Sequence, residues 1–355
     1  MLTQRIIKDL EEEILPEFDS EIKKLAGKTI LITGGNGFLP SYLVDTIVMS
    51  NKRHNLGIKI IVVNKNQVTN KSRLGHLLRQ KDIIFITADV GKKFEIPHKP
   101  NIIIHAASRA NPSSFLADPI DTINANVLGA WFLLDYARDN NIEKFIFFSS
   151  AEIYGNPVKE FLPTPETYTG NADPLNTWSC YIESKRFVES LCMAYFRQYK
   201  IDVLLLRILL AYGPGIRDDG KVISDFFNAA KANRKISVRD KGDALRSFCY
   251  VSDAARAIFR TWFFGKPGEA YNIGDDNNNN SIETIAKMIA KQVGEDVIVD
   301  TNKNAPVKEI YGVNNRLVDM TKTKSLGFKH KVSFEEGLKR LSEHYKEVER
   351  NELKN

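Results

Sequence analysis

Short runs of apolar, mostly β-branched residues recur along the chain from residue 29 onward, separated by stretches with helical spacing. These runs cover residues 29–33, 58–63, 83–88, 102–105, 145–149 and 203–208. Continuous apolar runs are typical of strands that are buried on both faces, and their alternation with helices indicates a parallel sheet with crossover helices. The pattern therefore predicts an α/β protein with a doubly wound parallel sheet.

A glycine cluster follows the first of these strands. Residues 33–40 read TGGNGFLP and lead into a helix predicted over 39–49. Gly34 permits a tight turn, and Gly37 lets backbone N–H groups approach a pyrophosphate at the start of that helix. Because the cluster lies inside a strand–helix–strand unit, it predicts a dinucleotide-binding sheet of the Rossmann type.

The regularity of the pattern divides the chain into three parts. Residues 1–28 are predicted to be an N-terminal helical extension, interrupted at Pro16, that forms a solvated amphipathic cap or, alternatively, an oligomer contact. Residues 29–206 form the dinucleotide-binding Rossmann domain. Residues 207–355, where strands and helices alternate less regularly, form mainly a smaller substrate-binding α/β domain that is interleaved with the first.

Composition narrows the class of protein. The 355 residues are 43% hydrophobic and 26% charged, which excludes wholesale disorder. The net charge is +6, but the basic residues are interspersed with acidic ones and form no stripe of basic and aromatic residues. We therefore expect no nucleic-acid partner. No apolar run is long enough to cross a bilayer, and no secretion signal is evident, so we expect no membrane partner. Three cysteines without metal-ligand spacing favour a cytoplasmic location and no metal.

The end of the second strand bears on the choice of cofactor. An acidic residue at this place accepts hydrogen bonds from the ribose of NAD, whereas a cation pairs with the 2′-phosphate of NADP. Here Asn64 and Lys65 occupy it. Asn64 favours neither cofactor. Lys65 is either an exposed lysine or a residue that tolerates the phosphate, so NADP stays open beside NAD.

Three residues form a candidate proton-transfer set. Ser150 ends a predicted buried strand, and Tyr181 and Lys185 lie four residues apart on one predicted helical face. An ammonium group close to the phenol should lower the pKa of Tyr181 and make it a usable base. Such a pair is also common as two surface residues. Its combination with the glycine loop and the strand-end serine favours catalysis.

Several further motifs complete a family resemblance. They are ADV at 88–90, HAAS at 105–108, NANVLG at 124–129, YGP at 212–214, RSFCYVSD at 246–253 and YNIG at 271–274. With the glycine loop and the Ser/Tyr/Lys set, they resemble the extended short-chain dehydrogenase/reductases that act as nucleotide-sugar epimerases and dehydratases. Residues 179–192 and 219–226 are most similar to UDP-glucuronate decarboxylases.

The resemblance implies roles for the matching residues. Tightly bound, recycled NAD would contact Gly34, Gly37, Phe38, Leu39, Asn64, Lys65, Asp89, Val90, Ala106, Ala107, Ser108, Asn126, Ser149, Tyr181 and Lys185. Catalysis would use Ser150, Glu152, Tyr181 and Lys185. A nucleotide-diphosphate sugar would meet Lys221, Arg246 and Arg316. The helices near 118–140 and at Tyr181 resemble those that pair in the homodimers of this family.

Departures from the family pattern leave the reaction open. Pro40 replaces the third glycine, Ala151 stands where dehydratases often carry an acid or a serine, and Leu210 replaces an asparagine. Arg109 stands where decarboxylases usually have proline, and it is either a surface arginine or a second cation for the substrate. The resemblance implies transient oxidation at sugar C4, followed by decarboxylation, 4,6-dehydration or C4 epimerisation. Decarboxylation agrees best with the motifs, and a catalytically silent nucleotide-binding protein is the remaining alternative.

Overall fold

A parallel sheet forms the centre of the protein. The computed structural model describes residues 2–216, 220–238, 240–302 and 315–352. The strands are β1 Thr29–Thr33, β2 Lys59–Asn64, β3 Ile83–Thr87, β4 Ile102–His105, β5 Lys144–Ser150, β6 Val203–Ile208, β7 Ala211–Tyr212, β8 Lys235–Val238, β9 Leu245–Arg246, β10 Cys249–Tyr250, β11 Glu269–Ile273, β12 Asn280–Ser281 and β13 Ile298–Thr301. Seven of them form one parallel sheet in the order β11-β6-β5-β4-β1-β2-β3. The predicted fold class is confirmed.

Helices cover both faces of this sheet. They are α1 Gln4–Lys8, α2 Leu15–Lys23, α3 Phe38–His54, α4 Pro112–Ala117, α5 Pro119–Ile123, α6 Gly129–Asp139, α7 Ser179–Tyr199, α8 Val222–Asn233, α9 Val251–Phe264, α10 Ile282–Val293, α11 Thr321–Ser325 and α12 Phe334–Glu352. One π-helical segment, Asp9–Ile14, joins α1 to α2, and another, Asn124–Leu128, joins α5 to α6. No helix in the described ranges combines the length and the apolar character needed to cross a membrane.

The core consists of two apolar layers, one on each face of the sheet. Ile30 and Ile32 of β1 belong to the layer that contains α3, α9 and the N-terminal helices. Leu31, between them, belongs to the layer under α6 and α7. Successive strand residues point to opposite faces, so a strand whose every position is apolar must be covered on both sides. This requirement explains the continuous apolar runs in the sequence.

Helix α3 begins directly after the glycine loop and includes Pro40. Helix α3 starts at Phe38, one residue before the predicted start, and continues to His54 instead of 49. Pro40 is the third residue of this helix, where its missing N–H removes no intrahelical hydrogen bond. Substitution of the third glycine of the motif therefore leaves the turn and the helix in place.

The N-terminal segment differs from the predicted solvated cap. Residues 4–23 form consecutive helical segments, and Pro16 lies in the first turn of α2, where it causes no interruption. One face is exposed, but Leu10, Ile14 and Phe18 are fully buried in the core. The Phe18 ring lies 5.5 Å from that of Phe259 in α9. The segment is therefore part of the core, because its apolar face covers helices that would otherwise expose their own apolar residues.

The second part of the chain is interleaved with the first. Strand β6 crosses residue 206, where the sequence analysis places the division, and β11 returns to the edge of the main sheet beside β6. The remaining described strands form three small pairs, β7 with β10, β8 with β13 and β9 with β12. An isolated bridge between Arg246 and Arg316 joins two distant segments of this part. Two predicted substrate-binding arginines are thereby brought together.

Candidate active site

The candidate site lies where β1, β4 and β5 end. These strands are neighbours in a parallel sheet, so their carboxyl ends meet at one edge. The glycine loop follows β1, residues 106–108 follow β4, and Ser150 is the last residue of β5. The predicted cofactor and catalytic segments are therefore adjacent, although they are widely separated in the sequence.

The glycine loop is too tightly packed for side chains. Gly34 has a φ of +67°, and a Cβ there would lie 2.8 Å from the Ala107 Cα. Gly37 donates its N–H to the Gly34 carbonyl at 2.7 Å, and its own Cβ would lie 2.8 Å from that oxygen. Gly37 also precedes α3 directly and offers no capping side chain, which leaves the first N–H groups of the helix free for an anion. Phe38 and Leu39 form the first turn of α3 behind the loop.

Three of the predicted cofactor-binding residues carry buried polar atoms without a hydrogen-bond partner. Among the described residues, Asn64 Nδ2, Ser108 Oγ and Asn126 Oδ1 are buried without a hydrogen-bond partner. The other side-chain atoms of the two amides are used, since Asn64 Oδ1 accepts from Asn36 N at 3.0 Å and Asn126 Nδ2 donates to Ser184 Oγ at 2.8 Å. Buried polar atoms are costly unless a partner satisfies them. These atoms fit the hydroxyl and amide groups of a dinucleotide such as NAD.

An acidic cluster surrounds Lys65 beyond the end of β2. The Lys65 ammonium donates to Asp121 at 2.8 and 3.0 Å and forms an ion pair with Asp89 at 2.9 Å. Arg109 donates to the same Asp121 at 2.5 Å and lies 3.7 Å from Asp118. Arg109 is thus engaged by acids beside Lys65, and these contacts do not place it with Arg246 and Arg316. Its predicted contact with the substrate stays a prediction.

Three further predicted cofactor residues lie at this edge of the sheet, and a fourth turns away. The Ala107 N–H donates to Thr33 Oγ1 at 3.1 Å, next to Ala106, and Val90 is buried. The Ser149 hydroxyl instead donates to Glu189 Oε1 at 2.6 Å. Strand residues alternate between faces, so Ser149 points to the opposite side of β5 from Ser150.

Tyr181 and Lys185 are both buried on α7. Tyr181 is 7% exposed and its ring stacks on Phe115 at 5.2 Å between centroids. Lys185 is 1% exposed; its ammonium donates to the Phe148 carbonyl at 2.7 Å and lies 5.9 Å from the centre of the Tyr181 ring. The alternative that this pair lies on the surface is therefore excluded by burial.

The protein alone does not lower the pKa of the tyrosine as predicted. Burial raises the pKa of Tyr181 to about 12, an effect that the nearby Ser150 and Ser108 hydroxyls only partly offset. Burial also lowers the pKa of Lys185 to about 7, against the opposing effect of Glu189. The predicted lowering of the Tyr181 pKa is therefore wrong for the protein without a cofactor. The Lys185 ammonium points to the Phe148 carbonyl, and the side chains of Tyr181 and Lys185 are both desolvated.

A carboxylate and two arginines lie beyond Ser150. Glu152 is in the short helical turn Ala151–Tyr154, and its Oε2 lies 3.0 Å from Arg316 Nη2. Burial, followed by repulsion from Arg316, lowers the pKa of Arg246 to about 10. Arg316 also lies over the ring of Trp178, 5.7 Å from its centre. A small cleft opens beside this group, lined by Glu152 and Arg316 among others.

The comparisons with known proteins agree with this geometry. A model of the NAD dependent epimerase/dehydratase family matches residues 30–274. This chain belongs to that family. UDP-glucuronic acid decarboxylase 6 of Arabidopsis thaliana is 31% identical over 89% of this chain and 88% of its own length. UDP-glucuronic acid decarboxylase 1 of Xenopus tropicalis is 30% identical over 91% of this chain and 73% of its own.

Solved structures show the same architecture. The UDP-glucose 4-epimerase of Thermotoga maritima, solved with UDP-glucose, superimposes with a TM-score of 0.77 at 27% identity and covers 90% of this chain and 99% of its own. The dTDP-glucose 4,6-dehydratase DesIV of Streptomyces venezuelae reaches 0.74 at 21% identity, over 90% and 97% respectively. The protein is therefore an enzyme of the NAD-dependent epimerase/dehydratase family, as the sequence motifs predict.

In this member of the family, two residues that contact the predicted site were not predicted, and the role of one predicted residue is untested. Asp121 and Glu189 contact predicted site residues, but only the spacing of Glu189, four residues after Lys185, offered a signal. Lys221 immediately precedes α8, and its role toward the substrate stays a prediction. Asp219, the first residue of the decarboxylase-like motif at 219–226, lies outside the described residues.

Proposed function

We propose that this enzyme decarboxylates a UDP-uronic acid, of the UDP-glucuronate type, through transient oxidation of the sugar at C4. The curated relatives named above are UDP-glucuronic acid decarboxylases that match most of the chain. The observation that carries the proposal is the group formed by Glu152, Arg246 and Arg316 next to Ser150. The proposed site residues are those that the family resemblance implies.

The charge of this group suits an acidic sugar. Arg246 and Arg316 lie close enough to repel each other, with Glu152 and Asp240 as the carboxylates that act on Arg246, in a largely buried group where electrostatic interactions are stronger than in water. Repulsion between Arg246 and Arg316, which lowers the pKa of Arg246, would be relieved by an anion. A uronate carboxylate or a diphosphate oxygen provides that anion, and arginine binds either as a bidentate partner.

The chemistry assigns a simple task to each residue. NAD, when bound, would supply the acceptor for the C4 hydride and, after decarboxylation, its donor. Tyr181 takes the proton of the C4 hydroxyl, and Ser150 orients the C4 oxygen. Oxidation turns the uronate into a β-keto acid, so the bond from C5 to the carboxylate breaks and its electron pair enters the C4 carbonyl. Carbon dioxide leaves and C5 takes up a proton. Tyr181 gives its proton back to the C4 oxygen when the hydride returns to C4, while Lys185 keeps a positive charge beside Tyr181.

The charged residues around Lys65 favour NAD over NADP. Asp89 and Asp121 already engage the Lys65 ammonium, the cation that would have paired with a 2′-phosphate. A 2′-phosphate would therefore approach two carboxylates as well as one ammonium. We expect this repulsion to make NADP the weaker ligand.

A panel of sugar nucleotides tests the reaction. We expect UDP-glucuronate to lose carbon dioxide, whereas UDP-glucose and dTDP-glucose should return unchanged in mass. The Glu152 carboxylate, which lines the cleft, keeps 4,6-dehydration as a second candidate. Loss of water from a neutral hexose would support that candidate and contradict decarboxylation. A change of C4 configuration without a change in mass would establish epimerisation instead.

We also propose that two copies of the chain form a homodimer through α6 and α7. Trp131 of α6 and Phe187 of α7 are each 45% exposed, and their rings stack at 6.4 Å. Ile120 of α5 and Leu128, in the segment that leads into α6, are also apolar and are 65% and 48% exposed. Contiguous exposed apolar patches are typical of protein interfaces.

Charged substitutions on this surface should separate the copies. A Trp131→Glu and Phe187→Glu double variant should weaken dimerisation by about 10²-fold or more, because it removes two aromatic contacts from each copy. Sedimentation velocity measures the change. Phe264→Glu is the matched control, since Phe264 is 42% exposed at the end of α9. A wild-type monomer at micromolar concentration would refute the proposal.

The cysteines are consistent with a reducing compartment. Cys180, Cys192 and Cys249 all carry free thiols, and the last two are buried. We therefore propose a cytoplasmic location.

A further inference from the structure

A buried ion pair lies about one helical turn after the candidate catalytic lysine. Glu189 of α7 is 8% exposed, and its Oε1 accepts hydrogen bonds from Ser149 Oγ at 2.6 Å and from Arg207 Nε at 3.0 Å. Its Oε2 accepts from Arg207 Nη2 at 2.7 Å. Arg207 belongs to β6, the strand beside β5, so the pair joins α7 to two strands of the sheet.

Glu189 is linked to Lys185 in two ways, along one face of α7 and through the end of β5. Tyr181, Lys185 and Glu189 follow one another at four-residue intervals and therefore lie on one face of α7. The Lys185 ammonium donates its hydrogen bond to the carbonyl of Phe148, the residue before Ser149. Glu189 thus holds the strand segment next to the lysine, while its own charge faces the lysine along the helix.

Arg207 is held in turn by the surrounding chain. Its Nη1 donates to the Glu166 carbonyl at 2.8 Å and to Tyr154 Oη at 3.2 Å. The Tyr154 hydroxyl donates to Asn272 Oδ1 at 2.6 Å. A buried ion pair is weak evidence of stabilisation, since desolvation of both charges offsets most of their attraction. The fixed geometry of this pair is better explained by what its charge does nearby.

We propose that Glu189 is a positioning residue that keeps Lys185 protonated, and that Arg207 limits the strength of this effect. The inference deepens the proposed function, in which Lys185 must carry a positive charge beside Tyr181. A lysine that is 1% exposed loses most of the solvation of its ammonium, so a nearby carboxylate is needed to hold the proton at neutral pH.

The groups that face Lys185 allow this role. Tyr181 and Glu189 face it from α7, His105 interacts with it from β4, and Arg207 lies behind Glu189 on β6. Burial and repulsion from Lys185 lower the pKa of His105 to about 3, so the imidazole is neutral near pH 7. Burial lowers the pKa of Lys185 to about 7, and Glu189 opposes that shift. Glu189 is therefore the anion that favours the ammonium form.

Direct titration of Lys185 tests the proposal without any reaction. The full chain is labelled with [¹³Cε]lysine, the Lys185 signal is assigned by its loss in Lys185→Arg, and its shift is followed against pH by NMR. In Glu189→Gln the midpoint should move to lower pH by about one pH unit or more, since an anion is lost and Arg207 is left uncompensated. In Arg207→Met it should move to higher pH, because Glu189 then faces Lys185 alone.

Conservative variants separate charge from folding. Glu189→Asp keeps the charge and should retain most of the wild-type midpoint, and Ser149→Ala removes one hydrogen bond and should shift it only slightly. If Glu189→Gln does not fold, Arg207→Met keeps the test usable, because a midpoint that fails to rise in that variant contradicts the proposal. An unchanged midpoint in Glu189→Gln, or downward shifts of equal size in Glu189→Gln and Arg207→Met, would overturn the proposal.

Turnover provides a second, independent readout. The alkaline limb of the kcat profile should follow the NMR midpoint in each variant, while KM for the sugar nucleotide stays nearly constant. If the midpoints move as expected but kcat does not follow them, the electrostatic link stands and the proposed role of Lys185 in the reaction fails. If kcat falls without any change in the midpoints, Glu189 is only structural.

Discussion

Replacing Tyr181 with phenylalanine is expected to lower turnover by about 10²-fold or more, the scale typical of a lost general acid–base group. Binding of NAD should stay largely intact, because the variant keeps the ring that stacks on Phe115 at 5.2 Å and removes only the hydroxyl. Steady-state kinetics with UDP-glucuronate and calorimetric titration with NAD measure the two effects.

The control for this variant lies on the same helix. Tyr199 is the last residue of α7 and is 41% exposed, so Tyr199→Phe should behave like the wild type. Near-normal turnover in Tyr181→Phe would remove this tyrosine from the mechanism. Loss of NAD binding in the same variant would show that the hydroxyl serves the cofactor rather than proton transfer.

Replacing Glu152 with glutamine is expected to slow decarboxylation of UDP-glucuronate by about 10²-fold. The carboxylate is held 3.0 Å from Arg316, so its loss leaves that arginine without its anionic partner and changes the charge at the sugar. Decarboxylation needs no proton to be removed from C5. Reduced cofactor should therefore not accumulate with an unreleased 4-keto hexose.

The same variant discriminates between the candidate reactions. If the enzyme is a dehydratase, Glu152→Gln should still oxidise C4 but fail to eliminate water, and absorbance of the reduced nicotinamide should rise and persist. In deuterated water both reactions place solvent hydrogen on the product, but only elimination gives a 6-deoxy sugar. Glu160→Gln, in the short helical turn Lys159–Phe161, is the matched control. Wild-type activity in Glu152→Gln would contradict both reactions and favour simple C4 redox chemistry.

Local sequence patterns were sufficient for six of the seven strands of the main sheet, but they did not predict the edge strand β11. The predicted strands at 102–105 and 203–208 match β4 and β6 residue for residue, because each is a short apolar run with clear ends. Helix ends were less exact, since α3 runs five residues beyond its predicted end and stops where Asn55 adopts a left-handed conformation. A preference for that conformation is too weak a signal to locate a helix end from sequence alone.

Contacts over long distances were beyond the sequence patterns. Nothing in residues 1–28 showed that Asp9 would be buried, with its carboxylate accepting a hydrogen bond from Tyr250 Oη at 2.7 Å. The apolar face of this segment was evident, but not what it would pack against. An amphipathic helix has the same spacing whether it covers a core or joins two copies of a chain.

The sequence by itself determined the fold class, the glycine loop and the order of Ser150, Tyr181 and Lys185, because each depends on residues close together in the chain or on strand periodicity. Only the tertiary structure decided the electrostatic state of these groups. Burial sets the pKa of Lys185 near 7, and Glu189 is joined to Arg207 across two elements. Burial and charge pairing arise when distant segments exclude water from one another, and no local spacing records that event.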